Sequence, residues 1–539
     1  MTATANDTES SRLLPAERDG YGSASDCESA PPEEPKPYSH AFIARVVIAL
    51  LIGVFTSNAD GSLVLATHPV IASEFGDMAD SSWLFISFML AGVASQTVYG
   101  KLSDIFGRKA ILMFCYGLFA LGWGVGQSMW QVILGRVISG SGGAGMTAMA
   151  SVIITDLAPL REVASWQSYM NVIATVGRSI GGPLGGLLAD TIGWRWSFLG
   201  QAPIFAASMV ICGLLLPSTS NGTQESSIST RLARIDALGA LLLGATVLSL
   251  MMPLEIGGQK IPWSHPLIFV LFAAGIVLAV AFVLVESRWA KEPIFPLRLL
   301  RNAQVTKSYL IVAAQAGAQL GRVSSTIAGA HLFPAVIGNT IGGIAAGIII
   351  NRQVPSPEAA TDTDRHRTGR YKALLVFAAI SSITGYTLML LRWHGHTSWA
   401  ESLYVFPGGL GTGIAFSAGF ISLQASIDPK DKAAAAAGLF MTTTLGIIIG
   451  MAGTSAIIQG HLRHSVQLDL ARLGMSQAEI GEIIRKASES VSYIEHATGA
   501  VQKVLIEGYV KGIEYGHGLS IVFAGITLIT TSLLRERKL

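Results

Sequence analysis

The chain is 539 residues long, half of them hydrophobic and only 13% charged, where soluble domains carry roughly 25% charged residues. Apolar runs of about 18 to 25 residues recur from end to end, the length a helix needs to cross a hydrocarbon core, and this excludes an ordinary soluble fold. The net charge of +2 discriminates nothing by itself; the placement of the charges does. Cys27, Cys115 and Cys212 are too few and too scattered for a disulfide framework or a metal site. There is no nucleotide loop, metal-ligand cluster or nucleophile elbow, so no enzyme, cofactor or nucleic-acid partner is expected.

Residues 1–40 are polar, acidic and rich in Ser and Pro, with no apolar core before Ala41; they read as a disordered tail and not as a signal peptide. Within the tail, Glu9, Leu13 and Leu14 fit an acidic dileucine sorting signal, which would engage a sorting adaptor. The first apolar stretch, Ala41 to Ile71, holds Asp60 near its middle. An unpaired carboxylate at that depth is expensive, should be easily protonated, and could exchange a proton; the competing reading is a structural helix–helix hydrogen bond. Span two ends in Gly100-Lys101-Leu102-Ser103-Asp104-Ile105-Phe106-Gly107-Arg108-Lys109, a short charged turn between two apolar runs. Span four carries Arg136 a few residues inside its start, either facing a cavity or a partner or snorkelling to the interface. Span five contains Gly177-Arg178-Ser179-Ile180-Gly181-Gly182-Pro183-Leu184-Gly185-Gly186. Its glycines offer a smooth face for close helix packing, and Pro183 removes a backbone hydrogen bond and favours a bend.

Apolar segments begin near residues 41, 82, 110, 131, 165, 197, 235, 267, 305, 327, 373, 401, 434 and 517, fourteen in all. With a cytosolic N-terminus, the short loops after even-numbered spans should hold the Lys and Arg. They do: Lys101, Arg108 and Lys109 follow span two, Arg288 to Lys307 include five cations after span eight, Arg352 to Lys372 include five after span ten, and Arg535, Arg537 and Lys538 follow the last. Both termini are therefore expected in the cytosol. The Asn221-Gly222-Thr223 sequon then faces the cytosol and should stay unmodified. The ninth span, residues 308–321, is short: its fourteen residues between Lys307 and Arg322 would make about 21 Å of helix against a core about 30 Å thick. Residues 461–516 read as a long non-cytosolic loop with an amphipathic helix around Gln477 to Lys503. The division expected is a tail at 1–40, a six-helix bundle at 41–217, a linker with two inserted transmembrane helices at 218–304, and a second six-helix bundle at 305–535.

The charged turn matches G-x-L-x-D-x-x-G-R-K, the loop signature of the major facilitator superfamily, at every defining position. Gly177 to Gly186 resembles the glycine-proline signature of that superfamily's antiporters, Gly135 to Gly140 its membrane arginine motif, and Asp60 to Pro69 the first-span motif of fourteen-span proton antiporters. With Trp194 to Phe198 and Ala328 to Gly343, the chain is most similar to the fungal vacuolar basic amino acid transporter branch of that fourteen-span drug:proton antiporter family. The resemblance implies an all-α polytopic membrane protein with the major facilitator fold: two six-helix bundles, two inserted central helices and alternating access.

It also implies roles. Asp60 and Arg136 would couple protons to a cationic substrate. Gly100, Asp104, Gly107, Arg108 and Lys109 would form a conformational latch, with Asp104 capping a neighbouring helix and the two cations binding carboxylates or helix C-terminal carbonyls. Gly177, Arg178, Gly181, Gly182, Pro183, Gly185 and Gly186 would form the antiporter helix bend. Asn58, Gln96, Gln315, Gln319, His331 and Asn339 would line the cavity. The first function implied is a proton antiporter for basic amino acids in the vacuolar membrane. The alternatives are an exporter of hydrophobic cations at the plasma or vacuolar membrane, and a transport-silent sensor or scaffold.

Overall fold

The computed structural model describes residues 39–77, 80–121, 126–216, 234–257, 261–290, 292–320, 333–353, 371–393, 398–489, 493, 497 and 499–537. The dileucine residues Glu9, Leu13 and Leu14, the Asn221 sequon and His331 lie outside them. Helices account for nearly all of the described chain: α1 His40–Phe75, α2 Trp83–Phe106, α3 Arg108–Leu121, α4 Met129–Leu157, α5 Leu160–Thr191, α6 Trp194–Leu199, α7 Ala202–Leu215, α8 Ala237–Ile256 and α9 Pro266–Arg288. They continue as α10 Ala303–Leu320, α11 Phe333–Gln353, α12 Tyr371–Arg392, α13 Phe406–Gln424, α14 Lys432–Arg472, α15 Gln477–Glu489 and α16 Gly499–Ser532. Among the described residues, twelve helices are long and apolar enough to cross a membrane, with α6 and α7 counted as one. The shorter α3 and α10 occupy two further apolar segments of the sequence and fall outside those twelve.

Helix ends follow local chemistry. Ser39 caps α1 by accepting from the Phe42 amide, Asp236 caps α8 at Gly239, and His265 caps α9 with Pro266 in its first turn. Gly107 stops α2 with φ +91°, a backbone region that favours glycine, and this lets α3 start one residue later.

The helices pack into two bundles, α1–α7 and α10–α16, each with its own close seams. In the first, α5 lies along α1 and α2 along α4; in the second, α11 lies along α13 and α10 crosses α14. Glycines set the approach distances: a Cβ on Gly177 or Gly185 would come within 2.6 and 2.7 Å of the Phe55 and Leu63 carbonyl oxygens of α1. The inserted pair α8 and α9 pack on each other, with α8 also against α2 and α14.

Two sequence expectations take definite form. The ninth span is described as α10, which starts at Ala303 and has 18 residues, about 27 Å at 1.5 Å per residue; it remains short of a core about 30 Å thick and is not among the twelve. Lys307 stands level with the end of α16, where its Nζ donates to the Leu533 carbonyl at 2.6 Å. The described parts of 461–516 are largely helical, and the amphipathic helix expected there is α15 at Gln477–Glu489. Helix α14 runs 41 residues, about 61 Å, so it projects well beyond a core about 30 Å thick. Leu462, Val466 and Leu470 of α14 bury against Ile480 and Ala487 of α15 and Leu505 of α16. A capping box opens α15, with the Ser476 amide and hydroxyl donating to Glu479 at 3.0 and 2.8 Å.

Candidate functional site

We call the side on which α2 ends and α3 begins the Gly107 face. The turn there is held by charge. Arg108 NH1 donates to Asp104 Oδ1 at 2.6 Å, its Nε to Asp156 Oδ2 of α4 at 2.9 Å, and Lys109 Nζ donates to the Leu216 carbonyl at the end of α7 at 3.0 Å. Among the described residues, Asp104 pairs with the arginine of its own loop instead of capping a neighbouring helix, because the i, i+4 spacing across Gly107 brings the two side chains together. Gly100 lies close against the second bundle, where a Cβ would be 3.1 Å from the Ala437 Cβ and 3.2 Å from the Ala433 carbonyl of α14, and Gly347 of α11 lies closer still to the first, where a Cβ would be 2.8 Å from the Ser165 Cα of α5. Larger side chains at these two positions would hold the bundles apart on this face.

A polar seam completes the closure. Ser168 of α5 meets Ser417 of α13 at 2.8 Å, Asn171 donates to Asn339 of α11 at 2.9 Å, and Asn339 donates back to Thr175 at 2.7 Å. These bonds lie in the half of the molecule toward the Gly107 face. The bundles are thus joined on that face in this conformation.

The segment leaving the inserted pair adds a strap. Glu292 accepts from Lys101 at 2.9 Å and from Arg234 at 2.7 and 3.3 Å, so it ties the signature turn to both ends of the inserted pair. The Phe295 amide donates to Glu286 at 2.7 Å, and Phe295 packs on Tyr309 of α10. Arg298 then pairs with Asp431 at the start of α14, at 2.7 Å. The hydrogen bonds from Arg234, then Lys101, hold the Glu292 carboxyl below its usual range against the opposing effect of burial. A depressed carboxylate pKa means the strap is intact at neutral pH and is lost as pH falls through that lowered value. Glu292→Gln is accordingly expected to widen the Gly107 face at neutral pH and to remove part of its acid sensitivity. Electron–electron distance measurements between spin labels at the exposed Ala110 and Lys430 read this, and unchanged distances would remove the strap from the gate.

Within the first bundle, toward the opposite face, lies the buried ion pair. Arg136 NH1 donates to Asp60 Oδ2 at 2.6 Å, and both side chains are almost wholly enclosed, at 2% and 1% exposure. Gln201, just before α7, donates to Asp60 Oδ1 at 3.1 Å, and Arg136 Nε reaches the Leu84 carbonyl at 3.3 Å. The guanidinium stands 4.2 Å from the Phe88 ring centroid, and Phe198 closes the other side at 5.7 Å. Asp60 is therefore not unpaired, as its sequence setting suggested, and Arg136 does not snorkel. Glu74 anchors the neighbouring Trp194-Arg195 corner by accepting from both side chains.

The remaining candidates separate. Asn58 is half-buried and accepts from Arg178 NH1 at 3.1 Å. Asn339 sits in the seam between the bundles. Gln96 is buried on α2, and Gln319 is half-buried on α10. Gln315 is enclosed in the second bundle, donating to Ser382 at 2.6 Å and Thr412 at 3.2 Å, a helix–helix tie. Of the signature glycines, Gly177, Gly181 and Gly185 abut α1, Gly182 has only Ser62 nearby, and Gly186 faces open space. Pro183 lies inside an unbroken α5. Gln201, Glu292, Asn171 and Thr175 were missed. The last two stand at i and i+4 before Arg178 at i+7, a polar stripe on one helix face that periodicity could have flagged. Gln201 and Glu292 carry no local signal.

Comparison with known proteins agrees with this architecture. A family model described as the Major Facilitator Superfamily matches residues 50–451. A vacuolar membrane amino acid uptake transporter of Schizosaccharomyces pombe, fnx2, is 28% identical over 491 residues, covering 88% of this chain and 81% of that one. The multidrug resistance protein fnx1 of the same organism is 29% identical over 507 residues, covering 89% and 90%. The crystal structure of the human organic anion transporter MFSD10 (TETRAN) matches with a TM-score of 0.54 at 14% identity over 92% of this chain and 99% of that one, a likeness of fold alone.

Proposed function

The chain belongs to the major facilitator superfamily, and from that membership we propose that it is a proton antiporter that moves basic amino acids across the vacuolar membrane by alternating access. The observation that carries the coupling is the enclosed Asp60–Arg136 pair. A proton on Asp60 removes the charge that holds Arg136, so protonation and the arrangement of α1, α2, α4 and α7 are one equilibrium. The charge pattern of the loops supports a cytosolic Gly107 face. With that face closed, Asp60 lies in the half nearer the lumen, where an acidic compartment would supply the proton. Opening on the cytosolic side requires release of the α5–α11 seam, the Gly100 contact with α14 and the Glu292 strap. The amino acid substrate class rests on the uptake transporter among the relatives and on the motif resemblance.

The multidrug relative supports a second reading, export of hydrophobic cations. Uptake of labelled lysine, arginine, histidine and tetraphenylphosphonium into vesicles with an imposed pH gradient separates the two. Uptake of the amino acids that collapses with the gradient is the expected result. Gradient-driven uptake of the lipophilic cation alone would replace the proposal with the exporter. No uptake of either, in folded protein, would leave a transport-silent membrane protein.

A further inference from the structure

Two arginines lie within the spans of the first bundle, and they are satisfied differently. Arg136 has a carboxylate. Arg178, midway along α5, has none among the described residues: NH1 donates to the Asn58 amide oxygen at 3.1 Å and NH2 approaches the Thr175 hydroxyl at 3.5 Å, both neutral. The surroundings keep it so. Asn58 gives its own amide hydrogen to the Val54 carbonyl at 2.8 Å, which turns its oxygen toward the arginine. The Thr175 hydroxyl donates to the Asn171 carbonyl at 2.8 Å and accepts from Asn339 at 2.7 Å. Arg178 is also accessible, unlike Arg136. Asn171, Thr175 and Arg178 share one face of α5, and the bonds of Asn171 and Thr175 to Asn339 place that face toward the second bundle.

A cation at mid-membrane depth without a counter-charge is costly and is retained for a ligand. A guanidinium has five N–H donors in a planar fork that matches a carboxylate. We propose that Arg178, oriented by Asn58 and Thr175, anchors the carboxylate of the transported solute. This deepens the reading above and rests on it. It makes the α-carboxylate, and not only the cationic side chain, a requirement of the site, and it disfavours simple lipophilic cations, which the same guanidinium repels. Thr175 is shared between Arg178 and Asn339, so a carboxylate that draws the guanidinium away acts directly on the hydrogen bonds joining the bundles.

The test is displacement of labelled arginine from the full-length protein in nanodiscs by arginine and by agmatine, which is arginine without its carboxylate. In the unmodified protein agmatine should bind about ten- to a hundredfold more weakly, the range of a hydrogen bond to a charged group. In Arg178→Gln, read by direct binding of each labelled ligand, that ratio should fall toward one through loss of arginine affinity, with agmatine affinity kept. A merely structural role would weaken both ligands alike and leave the ratio intact, which would overturn the proposal. Asn58→Ala, which leaves the charge in place, should narrow the ratio partway and serves if Arg178→Gln does not fold. Equal binding of arginine and agmatine to the unmodified protein overturns the anchor but leaves basic amino acid transport standing. Binding of tetraphenylphosphonium with neither arginine nor agmatine overturns both.

Discussion

Replacing Arg136 with alanine is expected to destabilise the protein by about 3–5 kcal/mol, the usual cost of leaving one member of a buried ion pair behind. The reason is the enclosure of Asp60. Its Oδ2 would lose the 2.6 Å bond to Arg136, and only the neutral Gln201 amide would remain, on Oδ1. No water replaces the lost charge at 1% exposure, so the carboxylate must take up a proton or the helices must part. Asp60→Asn paired with Arg136→Met should recover most of the loss, because two neutral groups of similar size need no counter-charge. Thermal unfolding of the purified variants measures this. If the single and double variants melt alike, the pair contributes nothing to the fold. The transport consequence is separate: Asp60→Asn should reduce gradient-driven uptake at least about tenfold, the low end of what a general acid–base group contributes. Exchange of substrate without a gradient should persist. Retained gradient-driven uptake would take Asp60 out of the coupling step.

Gly181→Ala should cost about 1–3 kcal/mol, as an overpacked core does, although alanine is the better helix former by about 1 kcal/mol. An added Cβ would run into the carbonyl oxygen of Ala59, with that carbonyl's carbon 2.9 Å and the Ala59 Cα 3.0 Å away. Backbone atoms cannot rotate aside as a side chain can, so α1 and α5 must separate. Ala59 precedes Asp60, so this separation also shifts the ion pair, and uptake should fall with stability. Gly186→Ala is the matched control: nothing lies within 4 Å of its Cβ position, and it should be neutral or slightly stabilising. Equal melting temperatures for the two variants would show that the seam tolerates expansion, and the glycines would then need another explanation.

Much of the architecture was legible because a bilayer imposes a strict rule on sequence. Every crossing needs about twenty apolar residues and its short cytosolic loops hold the cations. The fourteen segments, the turn at Gly100 to Lys109 and the glycine seam at Gly177 to Gly185 follow from that rule, since each is a local pattern along one chain segment. The rule is silent where a residue's partner is remote. The Leu533 carbonyl that accepts from Lys307 lies 226 residues away, and no local pattern announces it. In 461–516 the sequence shows the amphipathic helix, but that it buries its apolar face on α14 and α16 is decided by the fold.

The same division holds at the site. That an aspartate and two arginines lie within apolar spans is a property of the sequence, and each is costly in hydrocarbon. Which of the two arginines neutralises the aspartate is decided only by packing. Arg136, 76 residues from Asp60, meets it because α4 crosses α1 beneath Phe88, while Arg178 is held by Asn58 and Thr175. Side-chain chemistry determines what each charge costs; the angles and approach distances of whole helices, set by glycine contacts far along the chain, determine which charge is paid back within the protein and which is left for a ligand.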